Sequence, residues 1–281
     1  MKTITSVRQM NEWAREQTLD RKNIGFVPTM GYLHDGHLSL VTKARSENDL
    51  VAVSIFVNPT QFGKNEDFSA YPRDAAGDTS KLENGGVDVL FMPEVSDLYG
   101  ESYETYVELE KTSLPLCGKS RPGHFRGVAT VVLKLLNIAL PTRAYFGSKD
   151  YQQLQVIKKM VRDLNVNTSI VGCPTFREAD GLAMSSRNSY LSLSQRRQAV
   201  CLFAALMIAN RLFSAREPDP RAYIEAMKER ILAEPDADPD YISLTDPKTL
   251  GDLTRVVDTA LAVLAVRIGK TRLIDNMLLH E

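Results

Sequence analysis

The sequence predicts an α/β fold, with a Rossmann-like parallel sheet domain over residues 1–175 and a smaller C-terminal α/β domain over residues 176–281. Three observations carry this. Short apolar runs at 24–27, 50–57 and 87–92 alternate with helix-period segments, which is the β-α-β-α-β order of a parallel sheet buried on both faces. A glycine-bearing turn leads from a strand into a helix twice, at 28–37 and at 147–153. Beyond residue 188 the pattern changes to two long helical segments, 193–214 and 219–233, followed by strand-like runs at 241–244, 262–268 and 272–278.

The elements follow in order. Residues 6–17 read as a surface helix with Ser6 as N-cap and Val7, Met10 and Trp13 on one stripe. The strand at 24–27 runs through the turn into a helix carrying Leu38, Val41 and Ala44. The second strand, 50–57, is almost continuously β-branched and stops at Asn58-Pro59. Ligands of open α/β sheets lie beyond the carboxyl ends of the strands, so Asn58, Gln61 and Phe62 fall near the 28–37 turn, and Gln61 reads either as a candidate substrate contact or as a polar residue of a solvated loop. A polar stretch, a turn at 71–74 and a helix to about residue 84 lead to the third strand. Residues 95–125 read as irregular, and 118–127, with three basic residues before a helix, either as a mobile flap near an anion or as a solvated loop. A buried helix at 129–140, a short strand at 144–146, a helix with Leu154, Ile157 and Val161, and a strand at 168–172 complete the first domain.

The bulk numbers exclude several classes of function. With 281 residues, 43% hydrophobic, 25% charged and a formal net charge of -1, the chain has the composition of a globular protein with no global field for nucleic acid or membrane. Its longest strongly apolar run, 200–209, is about half of the roughly 20 residues a spanning helix needs. The opening residues lack the apolar stretch of a secretory signal. Cys117, Cys173 and Cys201 form no C-x-x-C pair, which fits a reducing compartment and a cytoplasmic location.

Chemistry concentrates in three stretches. His34 and His37, two of the four histidines, flank Asp35-Gly36 at a helix start. A helix N-terminus offers unpaired N–H groups and a positive dipole, so the stretch reads either as a phosphate site with two imidazole donors or as a polar connecting loop. At 147–150, Gly-Ser-Lys-Asp repeats the geometry: Lys149 suits a phosphate, while Asp150 suits either ribose hydroxyls or a helix cap. Met184, Ser185, Ser186 and Arg187 bring two hydroxyls and a guanidinium together, as a phosphate clamp or as ordinary loop composition. Neither Cys nor acidic residues cluster near the histidines at metal-ligand spacing, so no protein metal site is expected.

Together these stretches resemble the pantoate-β-alanine ligase family. The matching blocks are Pro-Thr-Met-Gly-Tyr-Leu-His-Asp-Gly-His at 28–37, Ser-Ile-Phe-Val-Asn-Pro-Thr-Gln-Phe-Gly at 54–63, Gly-His-Phe-Arg-Gly-Val at 123–128, Phe-Gly-Ser-Lys-Asp-Tyr-Gln-Gln-Leu at 146–154 and Asp-Gly-Leu-Ala-Met-Ser-Ser-Arg-Asn at 180–188. The resemblance extends to the wider group of nucleotidyl transferases with a His-x-Gly-His turn. It implies ATP-dependent condensation of pantoate with β-alanine through a pantoyl adenylate, with AMP and pyrophosphate released. It implies ATP contacts at Met30, Gly31, Tyr32, Leu33, His34, Asp35, Gly36, His37, Gly147, Ser148, Lys149, Asp150, Phe176, Met184, Ser185, Ser186 and Arg187. Among these, His37, His34 and Lys149 are the implied catalytic groups, with His37 as proton donor. Pantoate and β-alanine fall to Gln61 and Gln153, whose neutral amides can pair with hydroxyls and a carboxylate without a tight ion pair. Mg2+ is expected to bridge ATP phosphate oxygens, with Asp78 an outer contact at most. The resemblance further implies a homodimer, and a C-terminal domain that closes over the ATP phosphates. Two other readings stand beside it: a nucleotidyltransferase of the same superfamily acting on a phosphorylated substrate, and a nucleotide-binding module without catalysis.

Overall fold

The computed structural model describes residues 1–64 and 66–280. The chain divides into two compact units. The first comprises Met1–Ser113, Arg121–Ser148 and Gln153–Pro174, the second Leu114–Ser120, Lys149–Gln152 and Thr175–Glu281. Two short pieces ahead of residue 175 thus group with the C-terminal residues.

In the first unit β1 (Lys2–Ile4), β2 (Ile24–Thr29), β3 (Leu50–Ile55), β4 (Val89–Phe91), β5 (Arg143–Gly147) and β6 (Ser169–Cys173) form one parallel sheet in the order β1-β4-β3-β2-β5-β6. The register pairs Ile24 with Leu50 and Thr29 with Ile55, while Gly25 faces Arg143 on the other side of β2. Strand order therefore reverses between β2 and β5, and the crevice outside their carboxyl ends is where such sheets take ligands. Helices α1 (Val7–Leu19), α2 (Asp35–Glu47), α3 (Ala75–Asn84), α4 (Val95–Leu98), α6 (His124–Ala139) and most of α7 (Tyr151–Asp163) accompany these strands, whereas the short α5 (Cys117–Ser120) belongs to the second unit.

Side-chain alternation sends the strand residues to two faces. Val27, Val51, Val53 and Leu90 pack with Leu40, Val41 and Ala44 of α2 and Leu82 of α3 in one buried cluster. Each such aliphatic side chain contributes about 1.5–3 kcal/mol on burial, so α2 is pressed against the sheet with its N-terminus held at the end of β2.

The second unit packs α8 (Leu193–Gln198), α9 (Cys201–Ser214) and α10 (Pro220–Leu232) with an antiparallel sheet of β7 (Ala237–Thr245), β8 (Thr259–Ile268) and β9 (Thr271–His280) in that order. Leu202, Leu206, Tyr223, Met227, Leu264 and Leu273 lie in its main core. Leu261 and Val263 point the other way, against Leu250, Leu116 and Tyr151.

The α/β class holds, and the local differences have physical causes. The helix expected at 129–140 begins at His124, because Gly123 takes φ +83 as N-cap and the glycines that read as a flap at 118–127 open a helix instead. On α1 the buried residues are Met10 and Ala14 while Trp13 is half-buried, and Ser6 makes no side-chain cap bond. The segment 193–214 is two helices that break at Ala199–Val200, where no glycine or proline marks the break. Strand β1 pairs with β4 through three residues, too few for a period to register.

Candidate active site

In the first unit the turn after β2 is bent by two consecutive left-handed residues, Gly31 at φ +82 and Tyr32 at φ +52. Glycine is required at 31: a Cβ there would lie 3.0 Å from Ile55 and 3.1 Å from Asp78 Oδ2. The bend aims two successive backbone N–H groups at one buried carboxylate, with Tyr32 N donating to Asp78 Oδ2 and Leu33 N to Asp78 Oδ1, both at 2.7 Å. Lys81 Nζ donates to the Leu33 carbonyl at 2.7 Å. Helix α3 thus holds Leu33 by both its N–H and its carbonyl. Asp78, the expected outer contact of a magnesium ion, is a structural anchor only 1% exposed.

The turn delivers His34 as N-cap of α2. His34 Nδ1 accepts from Gly36 N at 3.1 Å, and His37 Nδ1 accepts from His34 N at 3.3 Å, with ring centroids 4.0 Å apart. An Nδ1 that accepts a backbone N–H carries a lone pair, so the neutral ring holds its proton on Nε2. Both imidazoles are therefore set as Nε2–H donors at a helix N-terminus. Asp35 is exposed, so its side chain faces water.

Gln61 closes the turn Pro59–Gln61 after β3. Its Nε2 donates to Met30 Sδ at 3.1 Å, and its Oε1 accepts from Asn58 Nδ2 at 3.1 Å. Asn58, 1% exposed, also donates to Gly127 O at 3.2 Å, while its Oδ1 accepts from Thr60 N, Thr60 Oγ1 and Tyr99 Oη. Burial pushes the Tyr99 phenol up to about 12, which keeps it a donor. The Gln61 carbonyl accepts from His124 Nδ1 at 2.8 Å and Arg121 Nη2 at 3.3 Å. Arg121 in turn grips Glu66 with Nε and Nη2, both at 2.6 Å. Burial raises the Glu66 pKa, but hydrogen bonds and charge from Arg121 outweigh it and hold the carboxyl below its ordinary value. At the end of β5, Gly147 and Ser148 lead to Gln153, half-buried in the first turn of α7.

In the second unit Lys149 Nζ lies 3.9 Å from Asp150 Oδ1, a loose pair, and the Lys149 carbonyl accepts from Asn276 Nδ2 at 2.8 Å. Gln152, 7% exposed, donates to Pro115 O and accepts from Cys117 N, so this short segment is stitched at both ends. Phe176, Met184, Ser185, Ser186 and Arg187 lie along one hairpin, closed by the Arg177–Ala183 bridge and by Met184 N donating to Phe176 O at 3.0 Å. Phe176 is 40% exposed. Ser185 Oγ accepts from Arg187 N at 3.3 Å and caps the turn Ser186–Tyr190. At the base of the hairpin Arg177 donates twice to Asp275, Nη1 to Oδ2 at 2.7 Å and Nη2 to Oδ1 at 3.0 Å. Burial raises the Asp275 pKa and the Arg177 guanidinium opposes that rise.

The first unit thus gathers Met30, Gly31, Tyr32, Leu33, His34, Asp35, Gly36, His37 and Gln61 around the ends of β2 and β3, and Gly147, Ser148 and Gln153 at the end of β5 and the start of α7. The second gathers Lys149, Asp150, Phe176, Met184, Ser185, Ser186 and Arg187. Sequence reasoning missed the residues that hold these in place: Asn58 as an amide partner, Arg121 and His124 on the Gln61 carbonyl, Gln152, and Asp275 with Asn276. Only the paired neighbours Asn58-Pro59 and His124-Phe125-Arg126-Gly127 gave any signal. Among the described residues no three His, Cys, Asp or Glu side chains converge to hold a metal ion.

A family model described as pantoate-beta-alanine ligase matches residues 2–278. The pantothenate synthetase of Heliobacterium modesticaldum is 52% identical over 280 residues, covering 100% of both chains. That of Thermotoga neapolitana is 50% identical over 279 residues, covering 99% of this chain and 100% of its own. The crystal structure of pantothenate synthetase from Thermus thermophilus matches with a TM-score of 0.95 at 44% identity over 100% of both chains. Pantoate-beta-alanine ligase from Francisella tularensis, solved in complex with beta-gamma ATP and beta-alanine, matches with a TM-score of 0.84 at 40% identity, covering 99% of this chain and 97% of that one.

Proposed function

The chain belongs to the pantoate-beta-alanine ligase family, matched over residues 2–278, and on that premise we propose how its own residues carry the reaction. It joins pantoate to β-alanine to give pantothenate, using ATP. In the first step a carboxylate oxygen of pantoate bonds to the α-phosphorus as the bond to the pyrophosphate oxygen breaks. In the second the amine nitrogen of β-alanine bonds to the acyl carbon, the C–O bond to AMP breaks, and the amine gives up a proton. Family membership sets aside both the phosphorylated-substrate reading and the binding module.

Negative charge builds on phosphate oxygens in the first step, and fixed donors in a partly dry site stabilise it. His34 and His37 supply Nε2–H groups, and the observation that carries this role is the commitment of both Nδ1 atoms to backbone N–H groups. Lys149 and Arg187 supply charge, and Ser185 and Ser186 hydroxyls, to the phosphates. Gly31 and Gly36 bring backbone to the nucleotide and Gly147, where an added Cβ would meet nothing within 4 Å, leaves room for it, with Phe176 beside the base and Asp150 on the ribose. Gln61 and Gln153 hold pantoate: with Oε1 of Gln61 tied to Asn58 and one amide N–H on Met30 Sδ, its second N–H is the donor assigned to substrate oxygen. ATP would enter as its magnesium complex, with the cation offsetting phosphate charge and no side chain of this chain assigned to hold it. The working form is read as a cytoplasmic homodimer; a monomer mass by light scattering at micromolar concentration would overturn the dimer. The formal net charge is -1, and among the described residues no helix is long and apolar enough to cross a membrane.

Incubation with ATP, magnesium and labelled pyrophosphate, without β-alanine, tests the first step. Label should enter ATP only when pantoate is present, and added β-alanine should then yield AMP and pantothenate. Exchange without pantoate, or none with it, would reject the adenylate route.

A substitution on α6 tests the Gln61 assignment. A methyl group on Gly127 would lie 2.4 Å from the Thr60 carbonyl oxygen and 2.7 Å from Gln61 N. Gly127→Ala should therefore push the turn Pro59–Gln61 off α6, cost about 1–3 kcal/mol of stability and raise KM for pantoate about tenfold, with a smaller change for ATP. Equal changes in the two KM values would count against Gln61 as a pantoate contact.

A further inference from the structure

We infer that Asp275 and Asn276 of β9 are positioning residues that couple the lysine segment to the serine-arginine hairpin. The inference rests on the phosphate roles given above to Lys149 and Arg187.

Adjacent residues of a strand point to opposite faces of the sheet, and the two cores of the second unit bear this out here. Asp275 pairs across the sheet with Leu264, which lies in the main core with Leu182 of the hairpin, whereas Asn276 pairs with Val263, which packs toward Tyr151 on the lysine side. The dipeptide therefore reaches the hairpin from one face and Lys149 from the other. Asp275 takes two hydrogen bonds from Arg177 and one from Asn276 N at 2.8 Å. Arg177 Nη1 also donates to Gly181 O at 3.0 Å and its guanidinium lies 4.6 Å from the Phe203 ring, so it is fixed on every side. Asn276 donates to the Lys149 carbonyl and, through its own carbonyl, accepts from Arg177 Nη2 at 3.4 Å.

Polar side chains this buried, 2% and 8% exposed, are costly in a sheet whose neighbours are aliphatic. Stability alone would be served by apolar residues. What the pair adds is a fixed distance between two segments that are far apart in the chain and must address the same triphosphate, with rigidity at the level where a small misplacement slows a reaction by orders of magnitude.

A double-mutant cycle in the pantoate-dependent exchange assay distinguishes positioning from mere support. Lys149→Ala should slow exchange by about 10² to 10³, and Asn276→Ala by about tenfold through kcat with KM for pantoate unchanged. In the Lys149→Ala background, Asn276→Ala should have almost no further effect, because no ammonium remains to be placed. If the two losses multiply, the inference is wrong while the ligase reading stands. If Lys149→Ala alone is silent, the Lys149 role fails and takes the inference with it. Asn276→Ser, which keeps a shorter donor, serves if the alanine variant does not fold, and is judged by the same cycle; a thermal midpoint for each protein separates unfolding from misplacement.

Discussion

Replacement of His37 by alanine should lower the rate of pantoate-dependent pyrophosphate exchange by about 10² to 10³, the usual cost of removing one fixed donor to a developing oxyanion. On the proposed reading the ring has two jobs. Its Nδ1 accepts from His34 N and so helps to close the first turn of α2, while its Nε2–H is the donor proposed for the phosphates. Alanine removes both, and the lost cap alone costs about 1 kcal/mol. Asn separates them: its side-chain oxygen can take the place of Nδ1 on the His34 N–H but offers no imidazole proton. His37→Asn should therefore melt within about 2 °C of the parent protein, since 1 kcal/mol moves the midpoint by only a few degrees at this size, and yet stay slow in exchange. An exchange rate near normal in His37→Asn would remove the ring from the chemistry and leave it as a helix cap. A rate that recovers only when stability recovers would say the same.

The divide between what could and could not be read from the chain follows from distance along it. The turn at 28–37 was legible because a strand, two glycines and a helix period adjoin one another, and the physics of a helix N-terminus acts over a few residues. Gln61 was legible for the same reason, as a polar residue at the end of an unmistakable buried strand. The supports were not, because nothing local distinguishes Asp78 from any acid on an exposed helix turn. Its partners Tyr32 and Leu33 lie 46 and 45 residues away, and the Lys149 carbonyl that Asn276 reaches lies 127 away. Misread element ends had local causes of the opposite kind. Glycine at 123 and 127 suggested a loop, yet Gly123 caps α6 and Gly127 is needed where the Pro59–Gln61 turn lies against the helix. No glycine or proline stands at the break between α8 and α9, so the period alone ran through it.

Asp78 is the support whose loss should be felt most. Asp78→Ala leaves the N–H groups of Tyr32 and Leu33 without their acceptor in a place where Leu33 is 3% exposed. Each donor left unsatisfied costs about 1–3 kcal/mol, while the left-handed conformation at Tyr32 is present in the parent protein as well and adds nothing to the difference. A loss of about 2–6 kcal/mol follows for the two donors, or a drop of roughly 4–24 °C in the melting midpoint for a chain of this size. Asp78→Asn is the sharper test. Its oxygen can still accept from one N–H, but its NH2 must face the other, so donor meets donor at a spacing of 2.7 Å. The turn should shift, His34 with it, and exchange should fall at least tenfold even at temperatures where the variant is fully folded. Stability near normal together with full exchange in Asp78→Asn would mean that the turn is held by Lys81 and by the packing of Leu33, with the carboxylate only completing a bend that the chain makes without it.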